Sequence, residues 1–389
     1  MHTITALHYE TLRAIRIDHE KGIIQKIMEL DSQKCGEALP IVAPGLIDNQ
    51  VNGYAGVDFS GDELTPEALL HATKSLWKTG VTTFLPTLIT NSSDNMLRNL
   101  RMLASALNLE EVALSVPGFH LEGPWISGLE GFRGCHPNEH VSLPDIELFK
   151  RLQEATGGRI VQVTLAPELP GALSLLDYFR QQGVVAAIGH SSANASEIIA
   201  ACDHGVSLST HLGNGCANLI HRHENPIWPQ LADERLIPTL IADGHHLLPE
   251  ELKVFLKVKG AERIILTSDL TYLAGMPAGS YQFGGAEVLL TEDGRLRTVL
   301  KDYLAGATLP LLTGVEKMVR FTGCSLAEGI RMASANVASV FGWKDRGELL
   351  PGRRADLLLL ENKKGNLILK ETILNGKTVF ESNSFDSYF

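Results

Sequence analysis

Short apolar runs that each end in polar residues recur along the middle of the chain. Within a run, β-branched and other apolar residues follow one another without strict alternation, which is typical of strands buried on both faces of a sheet. Eight such runs are present: IVAPGLID (41–48), VTTFLPTL (81–88), VALSVPGFHLE (112–122), RIVQVTLAPE (159–168), VVAAIGH (184–190), VSLSTHL (206–212), IPTLIADG (237–244) and RIILTSD (263–269).

The segments between these runs carry signals for helix starts and ends. Thr65-Pro66-Glu67 places a capping residue before a proline at the first helical position, and Gly80 is the matching stop signal. A second helix is predicted between Pro249 and Gly260, and a third over 193–205. Eight strand–helix units over about 300 residues predict a (β/α)₈ barrel, an α/β fold. A doubly wound open sheet is the alternative.

The two ends of the chain differ from the middle. Residues 1–43 contain alternating runs with a turn at 20–22, and the C-terminal region has Asn375-Gly376 between two alternating runs, a β-hairpin signal. Both ends therefore predict short antiparallel strands. We predict a small β-sandwich domain built from both termini, residues 1–43 plus 346–389, around a barrel domain of residues 44–345.

Composition and charge mainly exclude partners. The chain has 389 residues, 44% of them hydrophobic, which is enough for a large core. A net charge of −11 argues against nucleic acid or an anionic membrane as a partner, although a few local cations can still bind one phosphate group.

The N-terminus lacks the features of a signal peptide, and no apolar stretch reaches the ~20 residues of a membrane helix. Five scattered cysteines without a C-x-x-C pair fit a reducing cytoplasm: Cys35, Cys135, Cys202, Cys216 and Cys324.

Polar residues with metal-binding or acid–base chemistry stand at the ends of the predicted strands. In a barrel these ends meet at one face, where catalytic residues gather. One carboxylate and two imidazoles from different strands can hold Zn²⁺ and leave a position open for water. Each residue alone has an ordinary explanation, such as a helix cap, so the metal site is inferred from their coincidence. The residues are Asp48, Gln50, Asn52, His120, Glu122, Glu168, His190, His211, Asn214, Asp243, His245, His246 and Asp269.

Several motifs together carry a resemblance to a known family. In chain order, the most specific are GFHLEGPW (118–125), AIGHSSA (187–193), STHLGN (209–214), IADGHH (241–246) and LTSD (266–269). With LAGATLP (304–310), they resemble the N-acetylglucosamine-6-phosphate deacetylase family of the amidohydrolase superfamily, over nearly the whole chain. The resemblance implies a metal-bearing barrel and a homodimer. The implied reaction hydrolyses the N-acetyl group of N-acetylglucosamine-6-phosphate to glucosamine-6-phosphate and acetate.

The resemblance also implies roles for individual residues. Glu122, His190 and His211 match the metal ligands, Asp269 matches the acid/base that acts on metal-activated water, and His136 matches a residue near the acetyl carbonyl. One divalent metal per chain is implied, with Zn²⁺ as the first choice and Fe²⁺, Co²⁺ or Mn²⁺ as alternatives. Four positions match those that hold the sugar phosphate near a dimer interface: Asn214, Gly215, Arg222 and His246. Further substrate-binding positions are Cys135, Leu304, Ala305 and Gly306.

Gln50 and Asn52 set the predicted number of metal ions. Family members with His-x-His at this strand end can hold two metals, and members with Gln-x-Asn resemble a one-metal branch. Amide oxygens are poor ligands for Zn²⁺ beside imidazole and carboxylate. We therefore predict one tightly bound metal per chain, with Gln50 and Asn52 forming hydrogen bonds around it.

Two alternatives stay open. The sequence departs from the commoner family pattern at 213–216 and at His245, both in the pocket that the resemblance assigns to the substrate. An amidohydrolase acting on a different N-acyl amino sugar, of the galactosamine type or without phosphate, is therefore the first alternative. A non-catalytic scaffold is the second, and it is disfavoured because all three ligand positions and Asp269 are present.

Overall fold

The structure, a computed structural model, describes residues 1–31, 39–283, 286–300 and 304–382. Cys35 lies outside these ranges. The strands, numbered in chain order, are β1 (His2–His8), β2 (Ala14–Glu20), β3 (Ile23–Glu29), β4 (Ile41–Pro44), β5 (Leu46–Val51), β6 (Gly53–Tyr54), β7 (Val57–Asp58), β8 (Val81–Ile89), β9 (Phe119–Glu122), β10 (Ile160–Leu165), β11 (Val185–Ile188), β12 (Val206–Ser209), β13 (Ile237–Leu240), β14 (Ile265–Leu266), β15 (Gly279–Phe283), β16 (Ala286–Leu290), β17 (Leu296–Thr298), β18 (Leu357–Lys363), β19 (Asn366–Leu374) and β20 (Lys377–Glu381). The α-helices are α1 (Pro66–Trp77), α2 (Ser93–Ala106), α3 (Glu110–Ser115), α4 (Ile146–Ala155), α5 (Ala172–Gln182), α6 (Ala195–Asp203), α7 (Ile227–Ala232), α8 (Pro249–Lys259), α9 (Leu311–Thr322), α10 (Leu326–Met332) and α11 (Ala335–Val340).

Eight parallel strands form the central sheet. Their order is β14-β13-β12-β11-β10-β9-β8-β5, so neighbours in the sheet are neighbours among the barrel strands of the chain. The first and last strands meet through a parallel bridge between Val51 and Leu270 and through the Asn52 backbone N–H, which donates to the Leu270 carbonyl at 2.8 Å. Helices lie between successive strands. The predicted (β/α)₈ barrel is confirmed, and the open doubly wound sheet is excluded.

The helix signals in the sequence have the predicted effect. The Thr65 side chain accepts the Ala68 backbone N–H at the start of α1, and Asn194 forms a capping box at the start of α6. Gly260 follows α8 directly with a φ of 73°, a conformation that glycine adopts at little cost. None of the helices in the described ranges is long and apolar enough to cross a bilayer.

One predicted strand is shorter than its apolar run. Residues 110–115 form α3, and β9 starts only at Phe119. Val112 and Ser115 are both buried, at the i, i+3 spacing of one helix face, and two glutamates in the first turn favour a helix start. The run 112–122 therefore combines the end of a helix with a four-residue strand.

The chain passes from the terminal sheet into the barrel at Gly45. The apolar run 41–48 predicts one strand, but the structure divides it into two. The first half, β4, pairs with β1 and β18, and the second half, β5, pairs with β8. A Cβ on Gly45 would lie 2.2 Å from Thr82 Oγ1, so only glycine fits where the two sheets approach.

Both chain ends contribute to one sheet, with the order β20-β19-β18-β4-β1-β2-β3. The predicted turn at 20–22 joins β2 to β3, and the predicted hairpin at Asn375-Gly376 joins β19 to β20. In the described residues these strands form one continuous hydrogen-bonded sheet. The division into domains 1–43 plus 346–389 and 44–345 stays a prediction, and β4 lies across its first boundary.

The terminal sheet and the barrel share a hydrophobic core. One continuous cluster of buried side chains includes Ile17 and Leu358 of the terminal sheet together with Leu76 of α1. In the same cluster, Trp125 packs against Phe149 of α4 and Phe179 of α5, with ring centroids 6.3 and 6.2 Å away. Because these aromatic side chains are fully buried, the outer helices are held firmly against the strands that carry the polar ends.

A small three-stranded sheet follows the last barrel strand. Strands β15, β16 and β17 pair antiparallel and have their own apolar cluster, which includes Leu273, Val288, Leu296 and Ala305. The chain then returns past the barrel seam, where Leu270 and Ala307 form a parallel bridge. This return places 304–306 beside the end of β14.

We predict that Gly45→Ala destabilises the fold by about 1–3 kcal/mol, because the new methyl group overlaps the Thr82 side chain at the junction of the two sheets. Thermal or urea unfolding measures the change. Gly314→Ala, inside α9, is the matched control, since its Cβ would meet no atom within 4 Å. It should stabilise by about 0.5–1 kcal/mol through helix propensity. Equal stability of Gly45→Ala and wild type would contradict this reading of the junction.

Candidate active site and metal centre

The Glu122 carboxylate is the hub of the site. It stands at the end of β9 and is buried. Its Oε1 lies 2.9 Å from His211 Nε2 and 3.2 Å from His190 Nε2, and it accepts the Gln50 side-chain N–H at 3.0 Å. Burial alone would raise the pKa of Glu122, but contact with the two imidazoles in their protonated form outweighs it and holds the pKa well below its usual value. Glu122 is therefore a buried anion with imidazoles around it.

The outer contact of His190 fixes which ring nitrogen carries the proton. His190 Nδ1 lies 3.0 Å from the Phe132 carbonyl oxygen, which can only accept a hydrogen bond. The Nδ1 proton is therefore donated outward, and a neutral His190 turns the Nε2 lone pair toward Glu122. A lone pair opposite a carboxylate oxygen is favourable only with a cation or a proton between them. This donor set fits a divalent metal ion.

His136 has the opposite arrangement. Its Nδ1 accepts the Thr90 backbone N–H at 3.3 Å and lies 2.9 Å from Thr90 Oγ1. A neutral His136 must then carry its proton on Nε2, which lies 3.8 Å from Glu122 Oε2. Burial and the neighbouring His190 lower the pKa of His136 to about 3, so the ring is neutral. His136 is a hydrogen-bond donor aimed into the site.

Two sets of ligands are geometrically available around Glu122. Glu122, His136 and His190 have ligand atoms that all lie within 4.8 Å of one another. His211 is bonded to the same Glu122 oxygen as His190, but its buried Nδ1 has no hydrogen-bond partner among the described residues. The tautomer of His136 favours the set with His211 as the third candidate ligand, because a protonated Nε2 cannot bind a metal.

Asp269 lies next to this cluster and shares a donor with it. The Gln50 side-chain amide donates to Glu122 Oε1 and also to Asp269 Oδ1, at 2.9 Å, and the Asn52 amide donates to the same Asp269 oxygen at 2.7 Å. Burial and the nearby charge of Glu122 raise the pKa of Asp269 to about 6. A carboxyl group with a pKa near neutrality can take up and return a proton at physiological pH. Gln50 and Asn52 thus act as donors to the carboxylates.

Three of these side chains stand on left-handed backbone. The φ angles are 49° at His190, 33° at His211 and 53° at Asp269. Non-glycine residues adopt such angles at a cost of about 1–2 kcal/mol each. All three follow barrel strands within three residues, so the sharp turns aim their side chains across the barrel mouth.

The segment after the small sheet borders Asp269. The Ala307 backbone N–H donates to the Asp269 carbonyl oxygen at 3.3 Å, and Cys135 Sγ lies 3.8 Å from the Leu304 carbonyl oxygen. Burial and the Asp269 charge raise the pKa of the Cys135 thiol. Leu304 and Gly306, predicted to bind substrate, therefore lie near the proposed acid/base, whereas Ala305, predicted with them, is fully buried in the apolar cluster of the small sheet.

The loop after β12 closes over the histidines at Gly215. A Cβ there would lie 2.9 Å from His211 Cε1 and 3.2 Å from His190 Cε1, so the backbone itself covers both rings. Asn214 Nδ2 is buried without a hydrogen-bond partner among the described residues. Arg222 is different: its side chain is exposed, and its guanidinium makes no hydrogen bond or ion pair within the described part of the chain. The structure brings Asn214 and Gly215 to the cluster but not Arg222.

His246 is held by a carboxylate of its own loop. His246 Nδ1 donates to Asp243 Oδ2 at 2.7 Å, and Asp243 Oδ1 accepts the backbone N–H groups of His245 and His246 at 2.8 and 2.9 Å. Burial would raise the pKa of Asp243, but these hydrogen bonds hold it at about 2. A positive charge on His246 would lower the pKa of Asp269. His246, predicted to bind the phosphate, therefore lies near Asp269.

Some strand-end residues have structural roles instead. His120 Nε2 lies 2.8 Å from Thr164 Oγ1, below Glu122 in the barrel interior. Glu168 accepts the Ser191 hydroxyl and the Ser192 N–H, both at 2.7 Å, and so anchors the loop after His190. Sequence reasoning missed Thr90 and the Phe132 carbonyl, which orient His136 and His190. Thr90 follows β8, so its position after a strand was an available signal, whereas a backbone carbonyl leaves none.

Comparison with known proteins agrees with this geometry. The sequence model of the amidohydrolase family matches residues 41–379. An N-acetylglucosamine-6-phosphate deacetylase from Lysinibacillus sphaericus is 32% identical over 342 residues, which cover 88% of this chain and 86% of that protein. An N-acetylgalactosamine-6-phosphate deacetylase from Escherichia coli O157:H7 is 33% identical over 342 residues, which cover 88% of this chain and 89% of that protein.

A solved structure matches the fold over its full extent. A mutant N-acetyl-D-glucosamine-6-phosphate deacetylase from Mycobacterium smegmatis, in complex with N-acetyl-D-glucosamine-6-phosphate, superimposes with a TM-score of 0.88. It is 27% identical, and the match covers 97% of this chain and 98% of that one. This similarity includes both the barrel and the terminal sheet.

We predict that metal analysis of the purified protein finds about one divalent ion per chain. His190→Asn and His211→Asn should each lower metal affinity at least about 100-fold, more than changes to outer contacts typically do. His136→Asn should keep the ion, because His136 donates rather than ligates. His71→Asn, at an exposed histidine on α1, is the surface control.

Two results would contradict these assignments. Loss of the metal in His136→Asn together with its retention in His211→Asn would identify Glu122, His136 and His190 as the ligands. Two fully occupied ions per chain would overturn the one-metal prediction.

Proposed function

The chain belongs to the amidohydrolase family, and from that premise we propose that it is a metal-dependent N-acetylglucosamine-6-phosphate deacetylase. It would hydrolyse the N-acetyl group to give glucosamine-6-phosphate and acetate. The observation that carries the proposal is the arrangement of Asp269 beside the Glu122 cluster, with His136 as a neutral donor whose Nε2 lies 3.8 Å from Glu122 Oε2. The relatives named above act on 6-phosphorylated N-acetylhexosamines, which supports the substrate class.

The residues divide the proposed reaction between them. Glu122, His190 and His211 would hold one divalent ion, which supplies Lewis acidity and lowers the pKa of a water molecule. Asp269 removes the proton from the attacking water and later returns it to the leaving amine. His136 Nε2–H donates to the oxygen that gains charge in the transition state. Gln50 and Asn52 hold Asp269 through its Oδ1, which leaves Oδ2 for the proton transfer.

Zn²⁺ is our first choice of metal, since a carboxylate with two imidazoles is a donor set of catalytic zinc sites. The same set accepts Fe²⁺, Co²⁺ or Mn²⁺, and availability in the cell selects among them. The amide oxygens of Gln50 and Asn52 are poor ligands for Zn²⁺ beside imidazole and carboxylate. We therefore propose one ion per chain.

We predict that Asp269→Asn lowers kcat by about 10²–10⁴-fold at unchanged metal content, because the acid/base is lost. In the wild type, Asp269 must be ionised to accept the proton. Because its pKa is about 6, activity should fall as the pH is lowered through about 6, which forms the acid limb of the pH profile. A cation bound at Glu122 favours the ionised form of Asp269 and therefore moves this acid limb to lower pH. Acetate release measured against pH checks both statements. Unchanged turnover in Asp269→Asn would exclude Asp269 as the acid/base.

The identity of the amino sugar is a separate part of the proposal. The Escherichia coli relative acts on N-acetylgalactosamine-6-phosphate at an identity similar to that of the glucosamine-type relatives. The galactosamine-type substrate is therefore the second candidate. Acetate release from both phosphorylated sugars and from their unphosphorylated forms distinguishes them through kcat/KM. Equal rates with and without phosphate would exclude a phosphate-directed enzyme.

We also propose a cytoplasmic homodimer in which Arg222 reaches the phosphate of the partner's substrate. Arg222 is exposed and unpaired within the described ranges, and it lies between two exposed apolar side chains, Leu219 at 95% and Trp228 at 52% exposure. Apolar groups at this exposure favour burial against another chain. Asn214, Gly215 and His246 would complete the phosphate site, and Cys135 with 304–306 would border the sugar.

We predict that Arg222→Gln raises KM for the phosphorylated substrate about tenfold or more and leaves the unphosphorylated sugar unaffected, because a charge-assisted contact to phosphate is lost. Steady-state kinetics measures this difference. Arg101→Gln, an exposed arginine on α2, is the control.

Light scattering of the purified protein should give the mass of a dimer. A monomer with an intact phosphate preference would contradict the shared site.

A further inference from the structure

The barrel closes at a seam where regular strand pairing is short. Strand β14 has two residues, and its ladder to β13 ends with the Thr267 backbone N–H, which donates to the Leu240 carbonyl at 3.1 Å. After Leu266 the chain no longer pairs with β13 and crosses toward β5; residues 267–269 form this crossing segment. Asp269 lies two residues further on, so its place depends on how this crossing segment is held.

The Asp48 side chain holds the crossing segment. Its Oδ1 accepts the Thr267 hydroxyl at 2.9 Å, the Ser268 backbone N–H at 3.1 Å and the Gln50 backbone N–H at 3.3 Å. A side-chain oxygen thus takes the place of a strand carbonyl. One carboxylate binds both the strand that carries Gln50 and the segment that carries Asp269.

The same two segments exchange backbone hydrogen bonds just above Asp48. The Asp269 N–H donates to the Gln50 carbonyl at 3.0 Å. The side-chain contacts of Gln50 and Asn52 to Asp269 Oδ1 follow at 2.9 and 2.7 Å. Asp48 therefore makes the first contacts in a series that continues along β5 through Gln50 and Asn52 and ends at the proposed acid/base, Asp269.

Asp48 is not explained by the needs of the core. It is fully buried, and its second oxygen, Oδ2, has no hydrogen-bond partner among the described residues. Burial raises the pKa of Asp48 to about 6. A buried carboxylate with one unsatisfied oxygen lowers stability compared with an apolar residue, so its presence indicates a role other than packing.

We propose that Asp48 is a positioning residue for the reaction: by tying 267–268 to β5, it sets the place of Asp269 against the amides of Gln50 and Asn52. The proposal rests on the proposed function, in which Asp269 is the acid/base. Asp48 itself does not touch the substrate. Its effect is exerted through the position of the Asp269 carboxylate.

The test compares two variants at the seam with two variants in the terminal sheet. Asp48→Asn removes the charge, and Thr267→Val removes one donor without a change in shape. Asp18→Asn and Thr372→Val are the matched controls, since both residues are buried and hydrogen-bonded in the terminal sheet. For each variant, kcat, KM, metal content, melting temperature and the pH profile are measured with N-acetylglucosamine-6-phosphate.

We expect Asp48→Asn to lower kcat about 10- to 100-fold and Thr267→Val to lower it about 3- to 10-fold, with KM and metal content close to wild type. The controls should change melting temperature only. The acid limb of the kcat profile should move to higher pH in Asp48→Asn, because weaker amide hydrogen bonds favour a protonated Asp269. A purely structural role for Asp48 would not move this limb.

Three outcomes would overturn the proposal. The first is a folded, metal-loaded Asp48→Asn with kcat within twofold of wild type and an unmoved acid limb. The second is activity that falls only in proportion to lost metal. The third applies if Asp48→Asn does not fold, and it is a kcat for Thr267→Val that equals the kcat of Thr372→Val. An inactive wild type would overturn the proposed function as well, whereas an active wild type with active seam variants overturns the positioning role alone.

Discussion

The buried negative charge of Glu122 is the constraint on which the rest of the site depends. An ionised carboxylate inside a barrel is stable only when donors and cations surround it. Gln50 supplies one hydrogen bond, and two imidazoles meet the same oxygen from neighbouring strands. The outer contact of His190 with a backbone carbonyl leaves a bare nitrogen facing that charge. The arrangement is balanced when a divalent ion completes it, which explains why a metal site and a buried glutamate occur together.

The second carboxylate, Asp269, lies next to Glu122 and is linked to it by a neutral amide. Two anions close together in a barrel mouth repel each other, and the charge of Glu122 is one reason why the pKa of Asp269 is raised to about 6. The Gln50 amide bonds to both carboxylates, and Asn52 adds another donor to Asp269. Neutral amides reduce the repulsion only in part. Asp269 therefore keeps a proton affinity suited to acid–base chemistry.

Rigid elements hold these groups, although several of them stand on strained backbone. The left-handed φ angles of His190, His211 and Asp269 are stable only because the strands beneath them pack into a continuous core. Glu168 anchors the loop after His190, and the Gly215 backbone lies against the two imidazole rings. Contacts of this kind preserve ring and carboxylate orientation.

Sequence by itself determined the barrel, because buried strands and capped helices leave local signals of apolar runs, prolines and glycines. It also placed Glu122, His190, His211 and Asp269 at strand ends, where parallel strands bring them together. Only the tertiary structure decided the finer features. His120 and Glu122 share one face of β9, but two residues of strand separate them by roughly 6–7 Å, so one lies in the barrel interior and the other in the site. Likewise, the tautomers of His136 and His190 and the bridging role of Gln50 depend on partners 46, 58, 72 and 219 residues away in the chain. Such contacts follow from how distant segments pack, and no local pattern encodes them.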